Sequence, residues 1–393
     1  MTSLRDPSDV AAPARAGAGR RAIVHVVRQF HPNRGGLEDF VSNLVLEQVR
    51  RGHTVRVVTL DRLFGAPDVV LPGRDTHHGA EVVRIPWRGS SRYPLAFGFA
   101  PHLADAGLVH VHAIDFFFDA VALWRRFHRR PTVATTHGGF FHTGAHARLK
   151  ELWFAGPTRF SAHAYDAVVA CGAADADRFA PIAGDRLVRI DNGVDLSKFA
   201  ERASPVATRS LVTIGRFSSN KRIDRLLDAL RVLVDRDARW RLTIVGVAAD
   251  LDGDDLRREI AGRGLEGAVD LRVDLDNDAV AATLADASLF VSASQFEGFG
   301  IALIEAASAG LVPVVHRNES FVRLAVEHPG VVLTDFADPA RAADAITAAH
   351  HELETRGETL RAALAASVAD YAWPRVAERY EAVYRRAGWV PAL

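Results

Sequence analysis

Two glutamates, Glu297 and Glu305, are separated by seven residues in the run Phe296-Glu297-Gly298-Phe299-Gly300-Ile301-Ala302-Leu303-Ile304-Glu305. An apolar run at 287–292 precedes them, and a second, Leu311 to Val315, follows a small-residue segment. The pattern reads as strand, glycine-punctuated turn, helix, strand: a parallel βαβ unit with its loop at the carboxyl end of the first strand. Gly298 and Gly300 let backbone pass close to a ligand. The helix opening near Ile301 aims the N–H groups of Gly300, Ile301, Ala302 and Leu303 at an anion. Glu297 lies before that helix and Glu305 about two turns inside it. Carboxylates repel phosphate, so the pair suits hydroxyls elsewhere on the same ligand. A diphosphate flanked by hydroxyl-rich rings describes a nucleotide sugar.

Other elements must bring cations and a further polar group to such a ligand. Leu211 to Ile214 reads as a strand followed by Gly215-Arg216-Phe217-Ser218-Ser219-Asn220-Lys221, then a helix with Leu226, Leu227, Leu230, Leu233 and Val234 on one face. Arg216 and Lys221 fall at the strand's carboxyl end, where two cations neutralise a diphosphate, and Asn220 is placed to cap the helix. Nearer the start, a strand at 22–27 leads through His31-Pro32-Asn33-Arg34-Gly35-Gly36 into a helix with Leu37, Phe40, Val41, Leu44, Val45 and Val49 on one face. This glycine turn is not G-x-G-x-x-G, and Gly17-Ala18-Gly19 precedes the strand, so a dinucleotide-dependent dehydrogenase is disfavoured. The strand at 132–136 ends in His137-Gly138-Gly139, a histidine where open α/β sheets hold ligands. His110, His112 and His142 have no metal-ligand spacing and read as core or surface histidines.

These motifs together resemble the family-4 retaining glycosyltransferases: the two glutamates in Phe-Glu-Gly-Phe-Gly, the Gly-Arg…Lys element, the Thr136-His137 motif, Gly35-Gly36 and the Asn192-Gly193-Val194-Asp195 turn. The resemblance covers nearly everything after residue 20. It implies the GT-B fold, an α/β architecture of two facing Rossmann-like domains with parallel sheets and an active site in the cleft between them. It assigns Gly35, Gly36, Arg216, Lys221, Gly300, Ile301, Ala302, Leu303 and Glu305 to the donor, with Glu305 on ribose hydroxyls. It assigns His137, Glu297 and Lys221 to the reaction, with Glu297 and His137 on the transferred sugar. The loop near Arg272 and Val273 is where it places the base. Cys171 stands where many relatives have serine. Among such enzymes the motifs look most like the α-mannosyltransferases of bacterial exopolysaccharide assembly. Those use GDP-mannose as co-substrate, need no cofactor or metal, and act on a polyprenyl-diphosphate-linked oligosaccharide. A hexosyltransferase using a UDP-sugar and a non-catalytic sugar-binding protein of this fold stay open.

Bulk properties agree with a two-domain globular chain. The 393 residues exceed one ordinary core. The expected division is a disordered tail at 1–20, an acceptor domain at 21–199, a donor domain from 200, where 200–209 reads as a linker, to 370, and a helix at 371–393 crossing back. Lys+Arg and Asp+Glu are 48 each, so no charge excess argues for nucleic acid. Residues 1–195 hold 24 basic and 19 acidic groups and residues 196–393 hold 24 and 29, so the first half is mildly basic. One cysteine rules out a disulfide framework and suits a reducing cytoplasm. No apolar run is long enough to span a bilayer, and the start has no signal-peptide core. Arg148, Lys150 and Trp153, on a helix expected over 146–161, and the run Arg125-Arg126-Phe127-His128-Arg129-Arg130 offer cations beside aromatics. Such faces suit the inner surface of the cytoplasmic membrane or a lipid-diphosphate acceptor, or simply solvent.

Overall fold

The computed structural model describes residues 21–91, 93–138 and 153–391. The expected tail at 1–20, Gly139, His142, Arg148 and Lys150 lie outside the described residues. The chain divides into two compact units, Met1–Ile190 with Ala377–Leu393, and Asp191–Val376.

The first unit is built on an eight-stranded sheet. In chain order its elements are β1 (Ile23–Val26), α1 (Gly36–Arg50), β2 (Val55–Leu60), β3 (Arg74–His77), β4 (Ala80–Ile85), a small hairpin of β5 (Arg88–Ser90) and β6 (Tyr93–Leu95), β7 (Leu108–His112), α2 (Phe116–His128), β8 (Thr132–Thr135), β9 (Ala167–Ala170), α3 (Ala173–Ala183) and β10 (Leu187–Arg189). The sheet order is β10-β9-β8-β7-β1-β2-β4-β3. Every pairing is parallel except that of β3 with β4. Sequence periodicity misses β3 because Arg-Asp-Thr-His offers no apolar face, and the strand is correspondingly exposed.

Strand alternation makes the two faces of this sheet chemically different. Val24, Val26, Val109 and Val111 point into one apolar core. The residues between them, His25, His110 and His112, are fully buried as well. His25 pairs in register with His110, and His112 with Thr135, so all four share the opposite face.

The second unit is a six-stranded parallel sheet. Its elements are β11 (Ser210–Ile214), α4 (Ile223–Arg236), β12 (Arg241–Gly246), α5 (Gly253–Ala261), β13 (Val269–Val273), α6 (Asn277–Leu284), β14 (Leu289–Ser292), α7 (Ile301–Ser308), β15 (Val312–His316), α8 (Glu319–Glu327), β16 (Val332–Thr334) and α9 (Pro339–Ser367). The order is β13-β12-β11-β14-β15-β16, so strand order reverses between β11 and β14. That is the position at which open α/β sheets leave a crevice at the carboxyl strand ends. Helix α4 buries Ile223, Leu226, Leu227, Leu230 and Leu233 along one stripe, as its spacing predicts.

Three boundaries differ from the sequence reading. The stretch 200–209 is not a free linker: Glu201, Ala203 and Ser204 donate their N–H groups to Ser308, Ala309 and Ala287, fixing it on the second unit. Residues from Asp191 onward join that unit too, since Val194 N–H bonds Tyr371 O and Gly193 packs against the Trp373 ring too closely for any side chain. The last helix, α10 (Trp373–Arg386), leaves the second unit after Val376 and belongs to the first from Ala377. There Glu381 pairs with Arg51, and Tyr384 meets Gln48 and His110.

Candidate active site

The acidic loop and the cationic loop of the second unit meet at the strand-order reversal. Lys221 follows β11 in a short 3-10 turn, Glu297 follows β14, and Lys221 Nζ lies 2.6 Å from Glu297 Oε1. Both side chains are largely covered, which strengthens the pair relative to a surface contact. Gly215 leaves room for this lysine: a Cβ there would sit 3.3 Å from Lys221 Cε.

Asn220 does not cap α4. That helix starts after Arg222, whose backbone is left-handed and which makes no side-chain cap. Instead the Asn220 amide donates to Phe296 O at 2.9 Å and accepts from Phe296 N–H at 3.1 Å, while Asn220 O accepts from Gln295 N–H. These three bonds fasten the lysine turn to the glutamate loop. From the other side Ser320 Oγ donates to Glu297 O at 2.6 Å and Asn318 Nδ2 to Ser294 O at 2.9 Å.

Gly300 adopts φ 97°, a conformation that favours glycine, and α7 begins at the next residue. The N–H groups of Ile301 and Ala302 precede the helix's first bonds, whereas Leu303 N–H is already bonded to Gly300 O at 3.0 Å. Leu303 is fully buried, so it contributes packing and no donor. Glu305 is four residues past Ile301, so it lies little more than one turn into α7 and not two, since about 3.6 residues make a turn. It faces Lys198 Nζ at 3.7 Å rather than Lys221. Burial pushes its carboxyl above the usual glutamate range, with Lys198 opposing. Arg216 is exposed and has no ion pair among the described residues. Arg272, expected near the base, pairs with Asp270 and donates to Thr283.

In the first unit Gly35 and Gly36 open α1, and Asp39 N–H bonds Gly35 O at 2.8 Å. A Cβ at Gly35 would come within 2.6 Å of the Glu38 carboxylate, the movable end of a flexible side chain, and the backbone there is extended; Gly36 has open space. His137 follows β8 with a left-handed backbone, φ 49°. Its Nε2 is 3.0 Å from His112 Nδ1, its Nδ1 3.7 Å from Cys171 Sγ, and its ring stands edge-on to Phe40 at 4.7 Å. Burial lowers its pKa to about 3, so the imidazole is neutral. Asp175, in the first turn of α3, accepts from Thr136 Oγ1 at 2.6 Å and Gly138 N–H at 2.7 Å, pinning the histidine loop from both sides. Trp153 is exposed on one side and edge-on to Tyr93 at 5.7 Å.

Comparison with known proteins identifies the family. Residues 34–198 match the family described as Glycosyltransferase Family 4, and residues 197–363 match Glycosyl transferases group 1. A "GDP-mannose:cellobiosyl-diphosphopolyprenol alpha-mannosyltransferase" of Xanthomonas oryzae pv. oryzae is 43% identical over 373 residues, 94% of this chain and 98% of the relative. A Komagataeibacter xylinus protein of the same name is 39% identical over 93% of each chain. The chain belongs to glycosyltransferase family 4. Solved structures with its fold include a glycosyltransferase from Rickettsia africae, TM-score 0.70, 16% identity, covering 94% of this chain and 98% of that one. Another is Anabaena HepE in complex with UDP, TM-score 0.66, 17% identity, covering 92% and 98%.

Two residues of this family-4 glycosyltransferase escape sequence reasoning, and a third, Asn220, is read there only as a helix cap. Lys198 partners Glu305, Asn220 ties two loops across 76 residues, and Asp175 holds the histidine turn. Only Lys198 carries a signal, a lone cation just after Asn-Gly-Val-Asp, and nothing in its spacing points to Glu305. No described helix is long and apolar enough to cross a membrane.

Proposed function

We propose that this glycosyltransferase moves mannose from GDP-mannose to a polyprenyl-diphosphate-linked oligosaccharide, with retention of anomeric configuration, in exopolysaccharide synthesis at the cytoplasmic membrane surface. The observation that carries this reading is similarity along the whole chain to relatives of one printed activity, at 39% to 43% identity. The site's chemistry supports it. Departure of GDP develops negative charge on the diphosphate, and fixed positive groups aimed there lower the barrier. Lys221, Arg216 and the opening N–H groups of α7 supply that field at the strand-order reversal. Glu297 accepts from hydroxyls of the transferred sugar while keeping Lys221 in place. Glu305, raised by burial, accepts from ribose hydroxyls, which suit a covered carboxylate better than a second anion would. His137, neutral, contacts the sugar near the reacting carbon. A donor phosphate oxygen can take the acceptor's proton, so the scheme assigns no dedicated protein base.

The test is transfer to a synthetic polyprenyl-diphosphate cellobioside from GDP-mannose and from UDP-glucose, paired with calorimetry of GDP and UDP. Transfer from GDP-mannose and tighter GDP binding are expected, with activity retained in EDTA. Tighter UDP binding with transfer only from the UDP-sugar overturns the mannosyl reading, and loss in EDTA restored by magnesium overturns the metal-free one.

A further inference from the structure

Behind His137 runs a chain of buried hydrogen bonds that the reaction scheme does not use. His137 Nε2 meets His112 Nδ1 at 3.0 Å, His112 Nε2 meets His25 Nδ1 at 2.8 Å, and His25 Nε2 meets Gln48 Oε1 at 2.7 Å. Gln48 Nε2 donates to the Tyr384 hydroxyl at 3.1 Å, which lies 2.7 Å from His110 Nδ1. His110 Nε2 reaches Thr135 Oγ1 at 2.7 Å, and Thr135 Oγ1 is 3.3 Å from the Tyr380 hydroxyl. All of these groups lie in the first unit, on the polar face of its sheet and the helices covering it.

One proton per bond fixes the direction of the whole chain. A neutral imidazole has one N–H and one lone pair, so each ring passes on the polarity it receives. The Gln48 amide turns its oxygen to His25, which makes His25 a donor from Nε2 and an acceptor at Nδ1. His112 then donates from Nε2 and accepts at Nδ1, and His137 must donate from Nε2. The far end agrees: Cys171, 3.7 Å from His137 Nδ1, is a better S–H donor than acceptor, so it suits a bare Nδ1. Burial keeps the rings neutral: His25 is lowered to about 4, His137 to about 3, and His110 and His112 well below the ordinary histidine value.

By donor type His25, His110 and His112 also come close enough together to hold a cation. All six of their ring nitrogens are already engaged within the chain. A dication there would also be buried among neutral ligands with no carboxylate or thiolate in the cluster. A hydrogen-bonded wire satisfies the same atoms without that cost.

We infer that Gln48, His25 and His112 hold His137 as its Nε2–H tautomer, which keeps Nδ1 an acceptor. In the free protein the weak Cys171 S–H donor holds that acceptor, and a hydroxyl of the transferred sugar displaces it. His112 and His25 are thus positioning residues for transfer, acting through His137. The inference rests on the role given to His137 in the proposed function, and the test separates the two.

Ring 15N spectra of the full-length protein labelled in histidine read the tautomer directly, with the His137 signals assigned by their absence in His137→Gln. The expected result is a protonated Nε2 and bare Nδ1 from about pH 8 down to about pH 5, with no imidazolium in that window. A protonated Nδ1 in the unsubstituted protein overturns the inference, as does stoichiometric zinc in the purified enzyme. His112→Leu removes the acceptor and is expected to lower kcat by about ten- to a hundredfold, the scale for groups that orient a functional imidazole. KM for GDP-mannose should change little, and His137 should lose its single tautomer. His112→Gln can accept from His137 and donate to His25, so it should restore both readouts. An unchanged kcat in a folded His112→Leu, or a Gln variant no better than Leu, refutes the positioning role. Should His112→Leu not fold, the spectrum of the unsubstituted protein still decides the tautomer. Full transfer by His137→Gln removes His137 from the reaction whatever its tautomer, and so marks failure of the parent reading.

Discussion

At the scale of single residues, the Lys221–Glu297 pair carries the most weight. The two atoms are 2.6 Å apart in a covered loop, each side chain is the other's counter-charge, and the proposed scheme makes both of them ligand groups. Removing one leaves the other without its partner, so both single alanine variants should fall together and the double should fall less than additively. Lys221→Ala and Glu297→Ala are each expected to reduce mannosyl transfer by about a hundredfold or more, the range for losing one preorganised electrostatic contact. Steady-state rates for the two singles and the double check this; near-native rates in both singles would exclude the assigned roles. Sequence spacing is informative here because both residues sit just past strand ends, and a parallel sheet places such positions together. It was silent on Glu305's partner: Lys198 arrives from a turn whose path depends on tertiary contacts between Val194 and Tyr371.

At the scale of elements, the glycine-opened helix α7 shows how local conformation limits substitution. Gly300 has φ 97°, and a Cβ there would come within 2.8 Å of buried Leu324 and 3.3 Å of Phe321. Gly300→Val should therefore destabilise the second unit by about 2 kcal/mol or more, from left-handed strain plus crowding. Calorimetric GDP affinity should weaken with it, and a variant that binds GDP as the parent does would dismiss the helix opening as an anion site. The carboxyl helix α10 gives a pH-dependent counterpart. Glu381 is buried and receives bonds from Arg51 at 2.5 Å, His53 at 2.9 Å and Arg385 at 3.0 Å. Burial alone would raise its pKa; the bonds from Arg51 and His53 outweigh it and hold the carboxyl below its usual 4.5. A lowered folded value means the contribution is full above about pH 4.5 and disappears as pH falls through the lowered value. Glu381→Gln should cost about 2 kcal/mol near neutrality, and denaturant titrations should show that gap closing on acidification. Helices and parallel strands such as α4 and β14 were legible from apolar spacing. In β7 the sequence alone reads His110 and His112 as core or surface histidines, because periodicity names a face and not a partner. The histidine chain needed coordinates because Gln48, Tyr380 and Tyr384 come from distant helices.

At the scale of the molecule, the question is how an enzyme with no described membrane-spanning helix would meet the lipid-linked acceptor proposed for it. The first half carries the basic excess, and the first unit gathers exposed apolar side chains on one region. Phe97, Leu123 and Phe127 are between 61% and 72% exposed and border an open groove of about 520 Å³ also lined by Tyr93, Phe116 and Trp124. Exposed Phe160 lines an adjoining groove together with Arg126 and Arg129. Those two arginines have no ion pairs among the described residues, whereas neighbouring Arg125 is bound to Asp166. Aromatic side chains sharing a groove with cations that have no ion pair among the described residues favour an anionic interface, each cation contributing about 1 kcal/mol near such a surface. Sedimentation with phosphatidylglycerol vesicles should therefore exceed that with phosphatidylcholine vesicles and fall as salt is raised. Replacing Arg126 and Arg129 together by glutamine should weaken anionic-vesicle binding on the order of thirtyfold, from about 2 kcal/mol. Transfer to a short water-soluble acceptor should remain, since neither residue borders the proposed donor site. Equal binding to both vesicle types, or none to either, would move the acceptor's delivery away from this face.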